Sequence, residues 1–222
     1  MNRAYFLTGT DTEIGKTFVT CALLQRARQL GLKAAGLKPV AAGTDATGRN
    51  DDVENIRAAS NVALPLEIIN PYCFTPAIAP HLAAAEAGVA IDFARIAAAC
   101  VSARQQSDLL IVEGVGGFRV PLGVDRDSAD LAVSINLPLI LVVGLRLGCI
   151  NHALLTAEAI AARGLVLAGW VANRIDPEMA RPDDNITALR ERIAAPLLGN
   201  VPRITGSNPS DAASFIELPS GD

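Results

Sequence analysis

The stretch Gly9-Thr10-Asp11-Thr12-Glu13-Ile14-Gly15-Lys16-Thr17 decides how this chain is read. An apolar run at residues 4–8 precedes it and reads as a strand, and a helical pattern at residues 16–30 follows it. A glycine-containing turn that joins a strand to a helix and ends in Gly-Lys-Thr is a phosphate loop. Its glycines let backbone N–H groups point inward, and the helix N-terminus adds partial positive charge. Lys16 can then reach the β- and γ-phosphates of a nucleoside triphosphate, and Thr17 can place its hydroxyl on Mg²⁺. Five residues separate Gly9 from Gly15 where the usual loop has four, so Thr10 holds the first glycine's place. Asp11 and Glu13 are unusual here, because acids repel a triphosphate unless they face a metal or a cationic ligand. Glu13 therefore reads either as a solvated loop residue or as a contact to a substrate amine or the metal.

Around the loop, short apolar runs alternate with Ala- and Leu-rich helical patterns. Strands are expected at residues 34–40, 109–113, 137–144, 165–173 and 197–200. Helices are expected at 53–60, 93–105, 150–163 and 185–194. This alternation predicts an α/β, P-loop NTPase-like fold: one domain over residues 1–222 with a mostly parallel sheet and helices on both faces. Such sheets bind ligands at the carboxyl ends of their strands. Residues 205–222 have little periodicity and read as a surface extension, flexible in part.

The 222 residues suffice for one large core, and half are hydrophobic while only 4% are aromatic. With a formal charge of −4 and no basic stripe, the chain has no footprint for nucleic acid or an anionic membrane. The long apolar run at residues 137–145 falls short of the roughly 20 residues of a membrane span and reads as a buried strand. Cys21, Cys73, Cys100 and Cys149 form no C-x-x-C pair, and no secretory signal pattern precedes them. Reduced thiols and a cytoplasmic location are the simplest reading.

Other chemistry-bearing residues fall at strand ends. Glu113 closes a hydrophobic strand before Gly114-Val115-Gly116-Gly117 and fits the acid that holds Mg²⁺ directly or through water; the alternative is a solvated turn residue. Asp51 and Asp52 open a helical pattern and read either as helix caps or as a second acid for the metal. Lys38, in Gly-Leu-Lys-Pro-Val, closes a strand beside the loop and could neutralise charge during phosphoryl transfer or hold a carboxylate or carbamate. Its alternative is a surface lysine. Asn173-Arg174-Ile175-Asp176 is a weak likeness of a guanine reader, and Asn173 could equally bond an adenine edge. For Asn151 and His152, at a helix start, a structural or capping role is favoured over catalysis.

Five stretches occur in one order: Y-F-L-T-G-T-D-T-E-I-G-K-T from Tyr5, G-L-K-P-V from Gly36, I-V-E-G-V-G-G from Ile111, L-G-C-I-N-H-A from Leu147 and G-W-V-A-N from Gly169. Together they closely resemble the dethiobiotin synthetase family, over nearly the whole chain. The resemblance implies ATP-dependent ring closure. CO₂ adds to an amine of 7,8-diaminopelargonic acid, the carbamate oxygen attacks the γ-phosphate of ATP, and the second amine displaces phosphate to close a cyclic urea. By the same resemblance Lys38 contacts the carbamate, Lys16 the phosphates, and Thr17, Asp52 and Glu113 hold Mg²⁺. Thr12 and Glu13 lie against diamine and nucleotide and count with Lys16 and Lys38 as the catalytic group.

Further nucleotide contacts are implied at Ile14, Gly15, Phe18, Gly116, Asn173 (to adenine) and Pro202. Substrate contacts are implied at Ala42, Gly116 and Gly117, and, across a homodimer boundary, at Gly148, Cys149, Ile150 and Asn151. Cys149 then reads as a packing residue rather than a nucleophile. The family often carries Ser where Ala42 stands, so one hydroxyl contact is missing here. The loop's extra residue belongs to the family pattern. A partitioning or maturation ATPase of the same branch is the first alternative, but many of those carry a second lysine early in the loop, where this chain has Thr10, Asp11 and Thr12. A GTPase switch is the second.

Overall fold

The computed structural model describes residues 3–204 and 209–220. In its first half, strand β1 (Arg3–Gly9) leads into helix α1 (Lys16–Gln29), followed by β2 (Ala34–Leu37), β3 (Val40–Ala42), α2 (Asp51–Ala59), α3 (Leu66–Ile69), β4 (Tyr72–Phe74), α4 (Pro80–Glu86) and α5 (Phe93–Gln106). Then come β5 (Leu109–Glu113), α6 (Ser128–Ile135), β6 (Leu139–Leu145), α7 (Cys149–Ala162), β7 (Leu167–Arg174), α8 (Pro182–Arg190), β8 (Leu197–Val201) and the short α9 (Pro209–Ala212). Six strands form one sheet in the order β2-β5-β1-β6-β7-β8. Every neighbouring pair in it is parallel.

Side chains alternate across the sheet, as the two-residue period of a strand requires. Ala4 and Phe6 of β1 join one core with Ile96 of α5 and Leu131 of α6, whereas Tyr5 and Leu7 join the opposite core with Val19 and Leu23 of α1. A third cluster packs Trp170 and Leu141 against Ala153 of α7 and Leu189 of α8. Strands covered on both faces are continuously apolar, which is why β6 is buried at all seven residues. Each fully buried Leu or Ile contributes roughly 1.5–3 kcal/mol of transfer free energy.

The strand expected over residues 34–40 is two strands. Pro39 has no N–H to give a ladder, so β2 stops at Leu37 and β3 leaves to pair with β4 in a separate two-stranded sheet. Lys38, at the break, is held by its N–H to the Ile69 carbonyl (2.8 Å). Helix α2 begins earlier than expected because Asn50 caps it, its side chain accepting from Val53 N at 3.2 Å. Asp51 and Asp52 are therefore first-turn residues, not caps. Asn151 and His152 do not cap α7 either: its cap is Gly148, in a left-handed conformation (φ 94°). Helix α6 starts on a capping box from Asp127 and Asp130, a pairing of two aspartates that carries less sequence signal than the usual Ser/Thr and Glu. Of the stretch read as an extension, residues 205–208 and 221–222 lie outside the described residues. The rest packs down: Ala212 and Ala213 are fully buried against α1, and Ile216 bridges to Gly199.

Candidate nucleotide and substrate cleft

Strand order brings the chemistry together. β1 lies between β5 and β6, so the loop after β1 has the end of β5 on one side and the end of β6 on the other. Within the loop, Glu13 and Gly15 adopt positive φ (58° and 81°). A side chain at Gly15 would also meet Asn173 Nδ2 at 2.3 Å, so this position requires glycine for its dihedral angle and for space. Ile14 is buried beneath the loop, leaving its backbone alone available to a ligand. Asn173 Nδ2 donates to the Ile14 carbonyl at 2.8 Å, and Asn173 is itself buried. The expected adenine reader thus first props the phosphate loop from below.

Asp11 is paired within the chain. Its carboxylate takes an N–H from Arg146, just past the end of β6, and another from Thr12 N (2.8 Å), while its carbonyl accepts from Lys16 Nζ (2.7 Å). The expectation that the loop's acids need a cationic ligand is corrected for Asp11, whose cation is Arg146. Glu13 is exposed, lines the cleft and makes no ion pair among the described residues.

At the floor of the cleft Glu113 is fully buried. Its Oε1 accepts from Lys38 Nζ (2.6 Å) and Thr17 Oγ1 (2.8 Å), and its Oε2 from Thr20 Oγ1 (2.6 Å). Lys38 Nζ also donates to the Gly114 carbonyl (3.1 Å) and lies 3.4 Å from Asp52 Oδ2. Burial works to lower the Lys38 pKa, but Glu113 and Asp52 outweigh it and hold the ammonium above its ordinary value. Among the described residues Lys16 has no such carboxylate partner. Burial, then the positive Lys38, pull it down to about 8 against the opposing pull of Glu113, Asp52 and Asp11.

A cleft of about 760 Å³ opens over these groups. Of the expected site residues it gathers Thr12, Glu13, Gly15, Lys16, Thr17, Lys38, Ala42, Asp52, Glu113 and Gly116. Part of its wall is apolar, built by Ala77, Ile78, Ala79 and Pro80 together with Val115 and Val120. No sequence motif marked that wall. Gly117 instead lines a neighbouring groove with Thr10, Val120 and Leu155. Gly148, Cys149, Ile150 and Asn151 start α7 outside the cleft, and Cys149 is buried in the core while Asn151 is exposed. Pro202 follows the last residue of β8.

The parallel sheet, the loop after its first strand and the converging lysines and acids define a P-loop nucleoside-triphosphate-binding protein. A family model described as an AAA domain matches residues 3–211. Solved structures with similar folds include the MinC:MinD cell division complex of Aquifex aeolicus, with TM-score 0.56 and 12% identity over 91% of this chain and 82% of that one. The ParA family ATPase of Chlorobium tepidum is similar at TM-score 0.54 and 13% identity over 92% and 86%. These likenesses show the fold. The ATP-dependent dethiobiotin synthetase BioD of Aromatoleum aromaticum is 61% identical over 220 residues, 98% of each chain. The chain belongs to the dethiobiotin synthetase family.

Proposed function

We propose that the chain is an ATP-dependent dethiobiotin synthetase acting on 7,8-diaminopelargonic acid and CO₂ in biotin biosynthesis. The observation that carries this reading is the composition of the cleft. The phosphate loop with Lys16 and Lys38 shares one cleft with an apolar lining at residues 77–80, Val115 and Val120. Such a lining suits a triphosphate beside an alkyl diamine, the charged groups serving the phosphates and the apolar side chains the alkyl chain.

In this reading Lys16 binds the β- and γ-phosphates, with Gly15, Phe18 and the Ile14 backbone framing them. Lys38, held against Glu113 at the cleft floor, presents positive charge to the carbamate. Thr12 and Glu13 face the diamine, whose amines match a Glu13 carboxylate that makes no ion pair among the described residues. The carbamate oxygen attacks the γ-phosphorus and ADP leaves. The second amine then adds to the activated carbonyl, loses its proton and expels phosphate, closing the ring. Ala42, Gly116 and Gly117 line the substrate's path, and Asn173 and Pro202 border the base.

Thr17, Asp52 and Glu113 fit a Mg²⁺ site. Two carboxylates and a hydroxyl, with waters and phosphate oxygens completing the shell, are a usual donor set for that ion. When bound, the ion supplies charge neutralisation at the β- and γ-phosphates.

A homodimer is inferred with Gly148, Cys149, Ile150 and Asn151 reaching the partner's substrate carboxylate from the start of α7, where helix N–H groups lack intrahelical acceptors. Supporting it, Leu147, just before α7, is 93% exposed and Leu155, on α7, is 56% exposed. Four free cysteines agree with a cytoplasmic location. Among the described residues no helix is long and apolar enough to cross a membrane. Incubation with ¹³C-bicarbonate, ATP and the diamine tests the reaction: the cyclic urea must carry the label at its carbonyl carbon, and unlabelled or absent urea contradicts the proposal.

A further inference from the structure

Thr20 is fully buried on α1, three residues after Thr17, among the apolar side chains Val19, Cys21, Leu23 and Leu24. A hydroxyl wholly removed from water in such a seam is costly unless it is hydrogen-bonded. A helical threonine commonly satisfies its hydroxyl on the carbonyl four residues back. This one instead spends its single proton on Glu113 Oε2, at 2.6 Å, in a bond between two fully buried side chains.

The consequence lies in which oxygen remains. A carboxylate can turn about its last torsion with little resistance, so its two oxygens are interchangeable unless something distinguishes them. Thr20 ties Oε2 to α1 from beneath. Oε1 is thereby left facing the cleft, where Thr17 Oγ1 (2.8 Å) and Lys38 Nζ (2.6 Å) meet it. Thr17 and Thr20, three apart on one helix face, grip opposite oxygens of one carboxylate.

We infer that Thr20 is a positioning residue for the metal site: it touches neither metal nor substrate, and it fixes the Glu113 carboxylate so that Oε1 is the oxygen offered to Mg²⁺. This rests on the metal role given above to Glu113. Removing the hydroxyl leaves Oε2 buried without its donor, and the carboxylate turns to recover one from Lys38.

Calorimetric titration of Mg²⁺ into the complex of the full chain with a non-hydrolysable ATP analogue tests this, alongside binding of the analogue in EDTA. Thr20→Val is expected to weaken Mg²⁺ binding about tenfold, the usual size of an effect transmitted through a ligand's hydrogen-bond partner. Analogue binding in EDTA is expected to match that of wild type, and Thr20→Ser, which restores the donor, is expected to regain most of the metal affinity. Thr20→Ala removes the hydroxyl without a branched side chain and gives the same reading if Val disturbs packing. Metal binding weakened by Glu113→Gln but untouched by Thr20→Val and Thr20→Ala overturns the positioning role alone. Metal binding unchanged in Glu113→Gln as well overturns the metal role of Glu113 and the inference with it. Loss in Thr20→Ser equal to that in Thr20→Val also overturns it.

Discussion

Lys38 Nζ lies 2.6 Å from Glu113 Oε1, and both residues are buried. Breaking a buried ion pair from one side is more costly than never having built it, because the remaining charge stays desolvated. Lys38→Met is therefore expected to destabilise the fold by about 3–5 kcal/mol. Adding Glu113→Gln should return most of that loss, since a neutral amide needs no counter-ion. Urea denaturation midpoints of the two single variants and the double variant check this; strict additivity would show that the pair is not coupled.

Asp11 and Arg146 tie the phosphate loop to the end of β6. Both side chains are more than 40% exposed, so the pair itself adds no more than about 1 kcal/mol to stability. Its expected effect is on the loop. Arg146→Met should leave the denaturation midpoint almost unchanged yet weaken ATP binding several-fold, because Asp11 then faces the phosphates without its cation. Asp11→Asn in the same background should restore binding. An unaltered ATP affinity in Arg146→Met would assign the pair to surface electrostatics only.

The same two residues mark the boundary of what the sequence discloses. Gly15, Lys16, Thr17, Lys38 and Glu113 are legible because each sits at a strand end, where a parallel sheet puts its ligands, and because phosphate chemistry restricts the residue types. Arg146 is not, since its partner lies 135 residues away and only strand order makes them neighbours. Thr20 hides for a related reason: a threonine inside a helix looks ordinary until the end of β5 is seen against it. The Ala77–Pro80 wall has no chemical signature, being defined by enclosure alone. Strand order could not be read from alternation, so the departure of β3 to a second sheet is visible in Pro39 only after the pairing is known. The packing of Ala212 leaves no trace in the sequence because a four-residue helix carries no periodicity.

Leu147 is 93% exposed beside the start of α7. A substitution at so open a position usually changes the stability of one protomer by no more than about 0.5 kcal/mol. If this face joins two copies, Leu147→Asp buries a charge in the interface and should yield monomers in sedimentation at micromolar concentration, with activity lost in parallel. A dimer of wild-type strength in Leu147→Asp would place the interface elsewhere.

Thiol reactivity should separate the cysteines. Burial pushes Cys21 and Cys100 up to about 12, the nearby Glu113 adding to the effect at Cys21. At pH 8 roughly one such thiol in ten thousand is ionised, and the thiolate is the reactive form. Cys149, fully enclosed in the core, is also raised by burial. Cys73 is the exposed one. Maleimide at pH 8 should modify Cys73 first, and the other three only on unfolding, as read by mass spectrometry of intact protein. Rapid modification of Cys149 in the native state would contradict its packing.

In the function proposed above, phosphoryl transfer serves a diamine. ATP consumption measured with Mg²⁺, with and without bicarbonate and 7,8-diaminopelargonic acid, tests it most directly. Phosphate release is expected to require both, and to fall to background when either is left out. Release at full rate without the diamine would contradict a synthetase and return the chain to the hydrolytic ATPases that share its fold.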